Sequence, residues 1–331
     1  MSVLTKGKIQ VSLLTFNRAA FLRESLESLA NQSARGFKIS VFDNASSDST
    51  PEVVEAFRAK YPDIDFLYYR HPENVGSDAN FAKAVECAEC EYVMIMHDDD
   101  VLHPRYIEFV ADAVDSVGNV ALVSSNYKYM EIPAGYKFPG RAISRSVYVF
   151  DTYADLAAFS CYDGRLSFSA AVYRTSDLRK YRTRNVCGKI GDTPVLIETA
   201  MGGRSVVFAD KNFFLYRVHC GQDSKNKSNG PFDGEIFLRD KFSRDILMSP
   251  DSKPFYKCIY RISRAEWLYR WKKFSGADAR ALRKFMRSIP ASEVGGLLCR
   301  LYSLPVVGRF VRLALTILRY ERKIHWKKVE I

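Results

Sequence analysis

Residues 91–100 read EYVMIMHDDD, and this stretch decides how the first half of the chain is interpreted. Its apolar part predicts a buried β-strand, because it is short and rich in side chains that fit a pleated sheet. The strand ends on a polar cluster formed by His97, Asp98, Asp99 and Asp100. Adjacent carboxylates repel one another unless a counter-charge lies among them, so a divalent cation such as Mg²⁺ or Mn²⁺ is expected here. A solvated acidic turn or a helix cap is the alternative interpretation.

Strands and helices alternate on the N-terminal side of this stretch. Further strands are predicted at Lys8–Phe16, Phe37–Phe42 and Asp65–Tyr69, and each is followed by a helical pattern. Such alternation predicts an α/β fold with a mainly parallel sheet flanked by helices. In sheets of this kind, ligands bind at the carboxyl ends of the strands. The polar residues that follow the first, second and fourth strands should therefore meet in one crevice.

The second half of the chain is less regular. Short strands are predicted at Val120–Ser124 and Ser167–Tyr173, a helix at Asp192–Met201, and one or two strands within Ser205–Tyr216. From Ile236 onward the pattern is helical and basic. We therefore expect a sheet-containing body and a helical C-terminal region.

Charge is unevenly distributed along the 331 residues, whose net charge is +11. Residues 251–331 carry 19 Lys and Arg against 6 Asp and Glu, so the excess of positive charge lies in this segment. Basic helices with interleaved Trp and Leu residues favour binding to an anionic membrane surface. A solvated helical face is the alternative. No helix-turn-helix, zinc-finger or RNP signature occurs, so we expect no nucleic-acid partner.

Several features bear on cellular location. The first ten residues, MSVLTKGKIQ, lack the apolar core of a secretion signal. The apolar stretch 297–318 is interrupted by arginines, so it lacks the run of about 18 apolar residues that a membrane-spanning helix needs. Seven scattered cysteines fit reduced thiols. We expect a cytoplasmic protein that is peripheral on the inner face of the cytoplasmic membrane.

A resemblance to a known family is carried by motifs spread over roughly residues 8–225. In chain order they read VSLLTFNR, VFDNASSDST, NVGSDANFAKAVECAECEYVMIMHDDDVLHP, IGDTPVLIETA and YRVHCGQDS. Their order and spacing resemble family 2 glycosyltransferases of the bacterial cell-surface polysaccharide and lipopolysaccharide type. The resemblance implies a GT-A fold, which is a Rossmann-like mixed sheet.

The resemblance also implies how the chain is divided. Residues 1–235 are expected to form the catalytic domain, with a nucleotide-sugar half at about 1–105 and an acceptor half at about 106–235. Residues 236–331 are expected to form the basic helical region.

Roles of individual residues follow from the same resemblance. It implies contacts to the nucleotide sugar from Thr15, Phe16, Asn17, Arg18, Asp43, Asn44, Ser46, Asn74, Gly76, Asn80 and Asp98. It implies metal contacts from Asp99, Asp100 and His219, and it makes Asp192 the catalytic base. Taken alone, Asp192 also fits an N-terminal helix cap, and His219 also fits a structural histidine.

The sequence departs from the family pattern at several positions. His97 stands where the first aspartate of the acidic motif is usual, Ala79 where an arginine is usual, and Gly191 where a glutamate precedes the base. These differences leave open which residues bind the metal. The Gln-x-x-Arg-Trp motif of processive synthases does not occur, so transfer of a single sugar is expected.

The expected reaction is divalent-metal-dependent, inverting transfer from a UDP- or dTDP-sugar to a glycan or lipid-linked acceptor. Asp43 fits uracil or thymine, because a carboxylate accepts a hydrogen bond from the N3 hydrogen of either base. Three alternatives remain: a non-catalytic homologue that binds nucleotide sugars, a nucleotidyltransferase, and a nucleic-acid-binding protein. A nucleotidyltransferase would carry a glycine-rich basic loop near the N-terminus. This chain has VSLLTFNRAA there, which is not such a loop. The absence of a G-x-G-x-x-G after the first strand argues against a dehydrogenase.

Overall fold

A computed structural model describes residues 7–126, 128–130, 138, 144–162, 166–181, 192–210, 212–219, 250 and 328–331. The chain divides into two compact units. Unit 1 comprises Met1–Tyr153, Arg165–Glu235 and Lys328–Ile331, and unit 2 comprises Ala154–Gly164 and Ile236–Lys327. Nearly all of the basic C-terminal region lies outside the described residues. Within the described part of the chain, no helix has both the length and the apolar character that crossing a membrane requires.

Twelve strands occur in the described residues. They are β1 (Ile9–Thr15), β2 (Lys38–Asp43), β3 (Phe66–Arg70), β4 (Tyr92–His97), β5 (Val101–Leu102), β6 (Val120–Ser125), β7 (Lys128–Met130), β8 (Ser146–Phe150), β9 (Val172–Arg174), β10 (Arg204–Phe208), β11 (Phe214–Arg217) and β12 (Lys328–Glu330).

Seven α-helices accompany these strands in the described residues. They are α1 (Ala19–Ala30), α2 (Thr50–Lys60), α3 (Ser77–Glu86), α4 (Tyr106–Val117), α5 (Tyr153–Tyr162), α6 (Thr175–Leu178) and α7 (Asp192–Thr199). A 3₁₀ turn at Ala200–Gly202 extends α7.

The larger sheet contains nine strands in the order β12-β8-β10-β6-β9-β4-β1-β2-β3. Pairing is parallel between β3 and β2, β2 and β1, β1 and β4, and β10 and β6. Strand β9 runs antiparallel to both β4 and β6, and β8 runs antiparallel to both β10 and β12. The other seven strands share one direction. The sheet is therefore mixed and mainly parallel, and the expected α/β class is confirmed.

A three-stranded sheet in the order β5-β11-β7 lies beside the acidic cluster in the chain. Strand β5 begins directly after Asp100, and it pairs with β11 so that Val101 lies opposite Leu215. Continuing this antiparallel register brings Arg217 opposite Asp99. The small sheet therefore carries the end of β11 to the acidic cluster.

Apolar residues on the sheet and on the facing sides of the helices form the core. Strand β1 is buried along almost its whole length, as expected for a strand covered on both faces. Helix α1 buries Leu22, Leu26 and Leu29 at the spacing of one helical face. Each such leucine contributes about 1.5–3 kcal/mol by leaving water. This burial fixes the position of α1, which supports the site described below.

Most predicted elements of the first half agree with the structure within one or two residues. The strand predicted at Ser167–Tyr173 is wrong in extent. Only Val172–Arg174 forms β9, because the amide of Ala171 donates 3.0 Å to the carbonyl of Phe168 and closes a turn just before the strand. The C-terminal region was expected to be helical, but residues 328–330 form β12 against β8.

Candidate functional site

The acidic cluster forms a tight turn between β4 and β5. Asp98, Asp99 and Asp100 are all buried, with 2%, 6% and 1% of their surfaces exposed. The hydroxyl oxygen of Ser25 on α1 lies 2.7 Å from the carbonyl oxygens of both Asp98 and Asp100. Ser25 therefore fixes the backbone of the turn. Sequence reasoning missed this residue, since no local motif marks it.

Arg18 supplies positive charge to the acidic cluster. Its Nη1 lies 3.2 Å from Oδ1 of Asp98 and 3.0 Å from Oδ2 of Asp99. The amide of Phe16 also donates to Oδ2 of Asp98, over 3.4 Å. Burial and the Asp99 carboxylate raise the pKa of Asp98 to about 6, although Arg18 opposes the shift. The predicted residues at the end of β1 thus meet the acidic cluster directly.

His219 reaches the cluster from the end of β11. Its Nε2 lies 3.0 Å from Oδ2 of Asp99. Its ring packs against Phe21 of α1 with 4.6 Å between the ring centres. Asp99 and His219, which are both predicted to contact the metal, therefore lie close together although they are far apart in sequence.

Asp100 is the most deeply buried carboxylate of the cluster. The amide of Arg217 donates 3.2 Å to its Oδ1, whereas its Oδ2 has no hydrogen-bond partner among the described residues. Burial and the neighbouring Asp99 raise its pKa well above the ordinary value. Crowded carboxylates with an unpartnered buried oxygen fit a hard divalent cation, which supplies the missing positive charge.

Arg217 ties this turn to α1, and sequence reasoning missed it. Its Nε donates 2.8 Å to the carbonyl of Asp99, and its Nη2 donates 2.6 Å to Oε2 of Glu24. The guanidinium also lies over the Phe21 ring, 4.9 Å from its centre. The only available signal was its place beside His219 in the motif YRVH, which does not reveal the partner on α1.

The loop after β1 and the loop after β2 are joined by hydrogen bonds. The amide of Asn17 donates 2.9 Å to the Ser46 hydroxyl, and Oδ1 of Asn17 accepts from the amide of Ser47 over 2.7 Å. Asn17 has a φ of 53°, a conformation that asparagine tolerates better than most residues. The carbonyl of Thr15, at the end of β1, accepts from the amide of Asn44 over 3.0 Å.

Asp43 is fully buried at the end of β2. Its Oδ1 accepts from the amide of Ser46 over 2.8 Å, and its Oδ2 accepts from the Tyr68 hydroxyl over 2.7 Å. Nε of Arg70 lies 3.4 Å from the same Oδ2, and Nη2 of Arg70 donates 2.7 Å to the carbonyl of Ser46. Tyr68 and Arg70 therefore orient Asp43, and the sequence motifs did not single out either residue.

The turn before α3 is connected to the same loop. Nδ2 of Asn44 donates 2.9 Å to Oδ1 of Asn74, which also accepts from the amide of Gly76 over 2.9 Å. Gly76 has a φ of 84°, in the region that favours glycine. Buried Asn80 donates 3.0 Å to the carbonyl of Phe42. The predicted residues after β1, β2 and β3 thus form one connected network.

Asp48 links two helix starts near this network. Its Oδ2 accepts from the amide of Ala19 over 2.9 Å, and its Oδ1 accepts from the amide and hydroxyl of Thr50 over 3.1 and 2.6 Å. Burial acts to raise the pKa of Asp48, but these hydrogen bonds outweigh it and lower the pKa. Asp48 therefore sets the directions in which α1 and α2 begin.

Asp192 opens α7 with a half-buried side chain. The residues just before it lie outside the described residues. The helix start agrees with the prediction, and an acidic residue in the first turn also suits the helix dipole. The role of Asp192 in the reaction stays a prediction.

Comparisons with known proteins point in one direction. The family model described as glycosyl transferase family 2 matches residues 11–182, which is just over half of the chain. Abequosyltransferase RfbV of Salmonella typhimurium (strain LT2) is 32% identical over 116 residues, covering 34% of each protein. The putative glycosyltransferase EpsH of Bacillus subtilis (strain 168) is 26% identical over 242 residues, covering 69% of this chain and 66% of EpsH. For RfbV, the match spans only about a third of the relative.

Solved structures show the same architecture. Residues 1–349 of S. aureus TarS in complex with UDP-GlcNAc are similar with a TM-score of 0.62 and 19% identity, covering 92% of this chain and 87% of that one. The mannosyltransferase PcManGT of Pyrobaculum calidifontis, in complex with GDP-Man and Mn²⁺, gives a TM-score of 0.50 and 17% identity, covering 97% and 88%. At these identities the likeness shows the fold alone, which is GT-A.

Proposed function

Because the chain belongs to glycosyl transferase family 2, we propose that it transfers a single sugar from a UDP- or dTDP-sugar to a glycan or lipid-linked acceptor. The observation that carries the proposal is the connected network at the carboxyl ends of β1, β2 and β4. Arg18 and Phe16, which follow β1, contact Asp98, which follows β4. Asn17, which also follows β1, contacts Ser46, which follows β2. Parallel sheets bind ligands at this edge.

The nucleotide is assigned to the network around Asp43. Tyr68 and Arg70 hold the carboxylate of Asp43 in one orientation, from which it accepts a hydrogen bond from N3 of uracil or thymine. Asn44, Ser46, Asn74, Gly76 and Asn80 shape the ribose side. A UDP-sugar is supported by the likeness to TarS, whose structure contains UDP-GlcNAc.

The diphosphate is assigned to the space beside the acidic cluster. Arg18 already lies against Asp98 and Asp99, and a guanidinium is well suited to bind phosphate oxygens. The proposed cation ligands are Asp99, Asp100 and His219. A bound Mn²⁺ or Mg²⁺ would offset the charge that develops on the diphosphate leaving group. Mn²⁺ is supported by the likeness to PcManGT, whose structure contains it together with GDP-Man.

Asp192 is assigned as the base. A carboxylate removes the proton from the acceptor hydroxyl as that oxygen attacks the first carbon of the donor sugar. The bond to the diphosphate breaks on the opposite face, so the configuration is inverted. Asp192 lies at the start of α7 and is half-buried, so it is not enclosed in the core.

The remaining parts of the chain are assigned by sequence. Residues 1–235 form the proposed catalytic domain, and the basic region 236–331 attaches it to an anionic membrane surface on the cytoplasmic side. A lipid-linked acceptor of cell-surface polysaccharide or lipopolysaccharide synthesis suits such attachment. The similarity to RfbV, an abequosyltransferase of Salmonella typhimurium, supports sugar transfer as the reaction.

A panel of nucleotide sugars tests the proposal. Thermal shift and donor hydrolysis are measured with UDP- and dTDP-sugars, with and without Mn²⁺, on the wild type, on Asp99→Ala and on the exposed control Asp63→Ala. We expect one donor to stabilise the protein and to be hydrolysed in a metal-dependent way, and we expect only Asp99→Ala to lose both effects. Binding without hydrolysis or transfer would identify a non-catalytic homologue, and the absence of any shift would refute the donor site.

A further inference from the structure

His97 lies beside the carboxylates that are proposed to hold the cation. One ring nitrogen of His97 and one carboxylate oxygen from each of Asp99 and Asp100 all lie within 4.8 Å of one another. No second group of three potential ligands occurs in the part of the chain that the structure describes. These three side chains therefore present a nitrogen and two oxygens to a common point.

The ring of His97 is held in place without using its nitrogens. The backbone amide of His97 donates 2.9 Å to the hydroxyl of Ser169. The ring packs against buried Phe168 with 5.6 Å between the ring centres. Neither ring nitrogen forms a hydrogen bond to any described residue. Phe168 and Ser169 thus orient an imidazole that keeps its metal-binding atoms available.

We propose that His97 is a direct ligand of the cation and that it makes the site prefer Mn²⁺ to Mg²⁺. This inference rests on the proposed function, which places the cation at Asp99 and Asp100. Mg²⁺ takes oxygen ligands and keeps its waters, whereas imidazole nitrogen suits transition-metal ions. Mn²⁺ accepts carboxylate and diphosphate oxygens as well, so it satisfies the mixed set. An aspartate at position 97, as in the usual family pattern, would leave His219 as the single nitrogen ligand among those proposed.

Direct metal binding tests the inference without relying on activity. Free Mn²⁺ is measured by electron paramagnetic resonance in the presence of UDP, and Mg²⁺ is measured by competition. His97→Ala should weaken Mn²⁺ binding by at least about tenfold, the smallest loss typical when even a partner of a metal ligand is removed. His97→Asp should keep metal binding but reduce the preference for Mn²⁺ over Mg²⁺. His103→Ala removes an imidazole outside the cluster and should change neither quantity.

The outcomes separate this inference from the function on which it rests. If the wild type binds Mn²⁺ and both His97 variants keep its affinity and its metal preference, His97 is not a ligand, while the proposed function stands. If the wild type binds no Mn²⁺ with UDP, metal dependence itself fails and the inference fails with it. Thermal unfolding of each variant without metal identifies any loss of Mn²⁺ affinity that misfolding causes. If His97→Ala is misfolded, the preference of His97→Asp for Mn²⁺ over Mg²⁺, compared with that of the wild type, tests the inference.

Discussion

The Nη2 of Arg217 lies 2.6 Å from Oε2 of Glu24, a partner 193 positions earlier in the chain. The Arg217 side chain is only 4% exposed, and its Nε also donates to the carbonyl of Asp99. The ion pair therefore joins the end of β11 to α1, with the acidic turn held between them. It is a long-range support for the proposed metal ligands.

Replacing Arg217 should destabilise the protein substantially. Removing one partner of a buried ion pair costs about 3–5 kcal/mol, and the partial exposure of Glu24 places Arg217→Met near the lower limit. Chemical denaturation measures this loss. The matched control is Arg105→Met, because the exposed Arg105–Glu108 pair is worth less than about 1 kcal/mol. Equal losses in the two variants would show that the Arg217 contacts add no more stability than an exposed ion pair.

Gly76 and Gly118 form a matched pair for testing the nucleotide side. Their φ values are 84° and 67°, and a Cβ atom would meet nothing within 4 Å at either position. Alanine should therefore strain both positions alike, by about 1–3 kcal/mol. Only Gly76→Ala should weaken UDP binding, because relief of the strain at position 76 would shift the amide that donates to Asn74 in the proposed nucleotide site. Titration calorimetry measures the UDP affinity of both variants. An equal loss of affinity in Gly118→Ala would show that Gly76 does not belong to the nucleotide site.

Acid stability should depend in part on Glu108. Hydrogen bonds from Arg105 lower its pKa to about 2, against a smaller opposing effect of burial. A carboxylate whose pKa is lower in the folded state than in the unfolded state stabilises the fold at pH values above the unfolded pKa. This contribution disappears as the pH falls towards 2. The difference in Tm between the wild type and Glu108→Gln should thus be largest near pH 7 and vanish towards pH 2. Because the pair is exposed, we expect a contribution below about 1 kcal/mol. A difference that does not change with pH would contradict this explanation.

Binding to anionic vesicles should require the basic region. Each Lys or Arg near a membrane surface contributes about 1 kcal/mol, so removing the charges of Arg270, Lys272 and Lys273 should weaken binding roughly a hundredfold. Truncation is a poorer test, because it also removes β12 from the sheet. Flotation with phosphatidylserine vesicles compares this variant with one that loses the charges of Lys8, Arg58 and Lys60. Equal binding by both variants would argue against attachment through residues 236–331.

The strands and helices of the first half could be predicted because their signals are local. Apolar runs mark β1, β2 and β4, and Pro51 marks the start of α2. Helix α4 was not predicted, although it buries Tyr106, Ile107, Phe109 and Val110 on one face. The periodic apolar signal of this helix is present in the sequence, directly after the acidic motif. The short strands β5 and β7 have too few residues to produce a pattern.

The candidate site was predicted only where its residues belong to motifs. The acidic turn and the loop at Asp43 were identified in this way. Ser25 and Glu24 were not, because each acts through a partner far away in sequence, and an isolated serine or glutamate on a helix gives no local signal. Arg217 lies in the motif YRVH, but the motif does not reveal its partner on α1. His97 was noted as a departure from the family pattern, but its distance to Asp99 and Asp100 required the fold.

Strand β12 gives the basic region an unexpected topology. The chain leaves unit 1 after Glu235 and returns to it at Lys328, where β12 pairs antiparallel with β8. The basic region is therefore preceded and followed in the chain by residues of unit 1. A single protease cut within it would give two fragments on a denaturing gel, whereas under native conditions the β8–β12 ladder would still hold the pieces together as one particle.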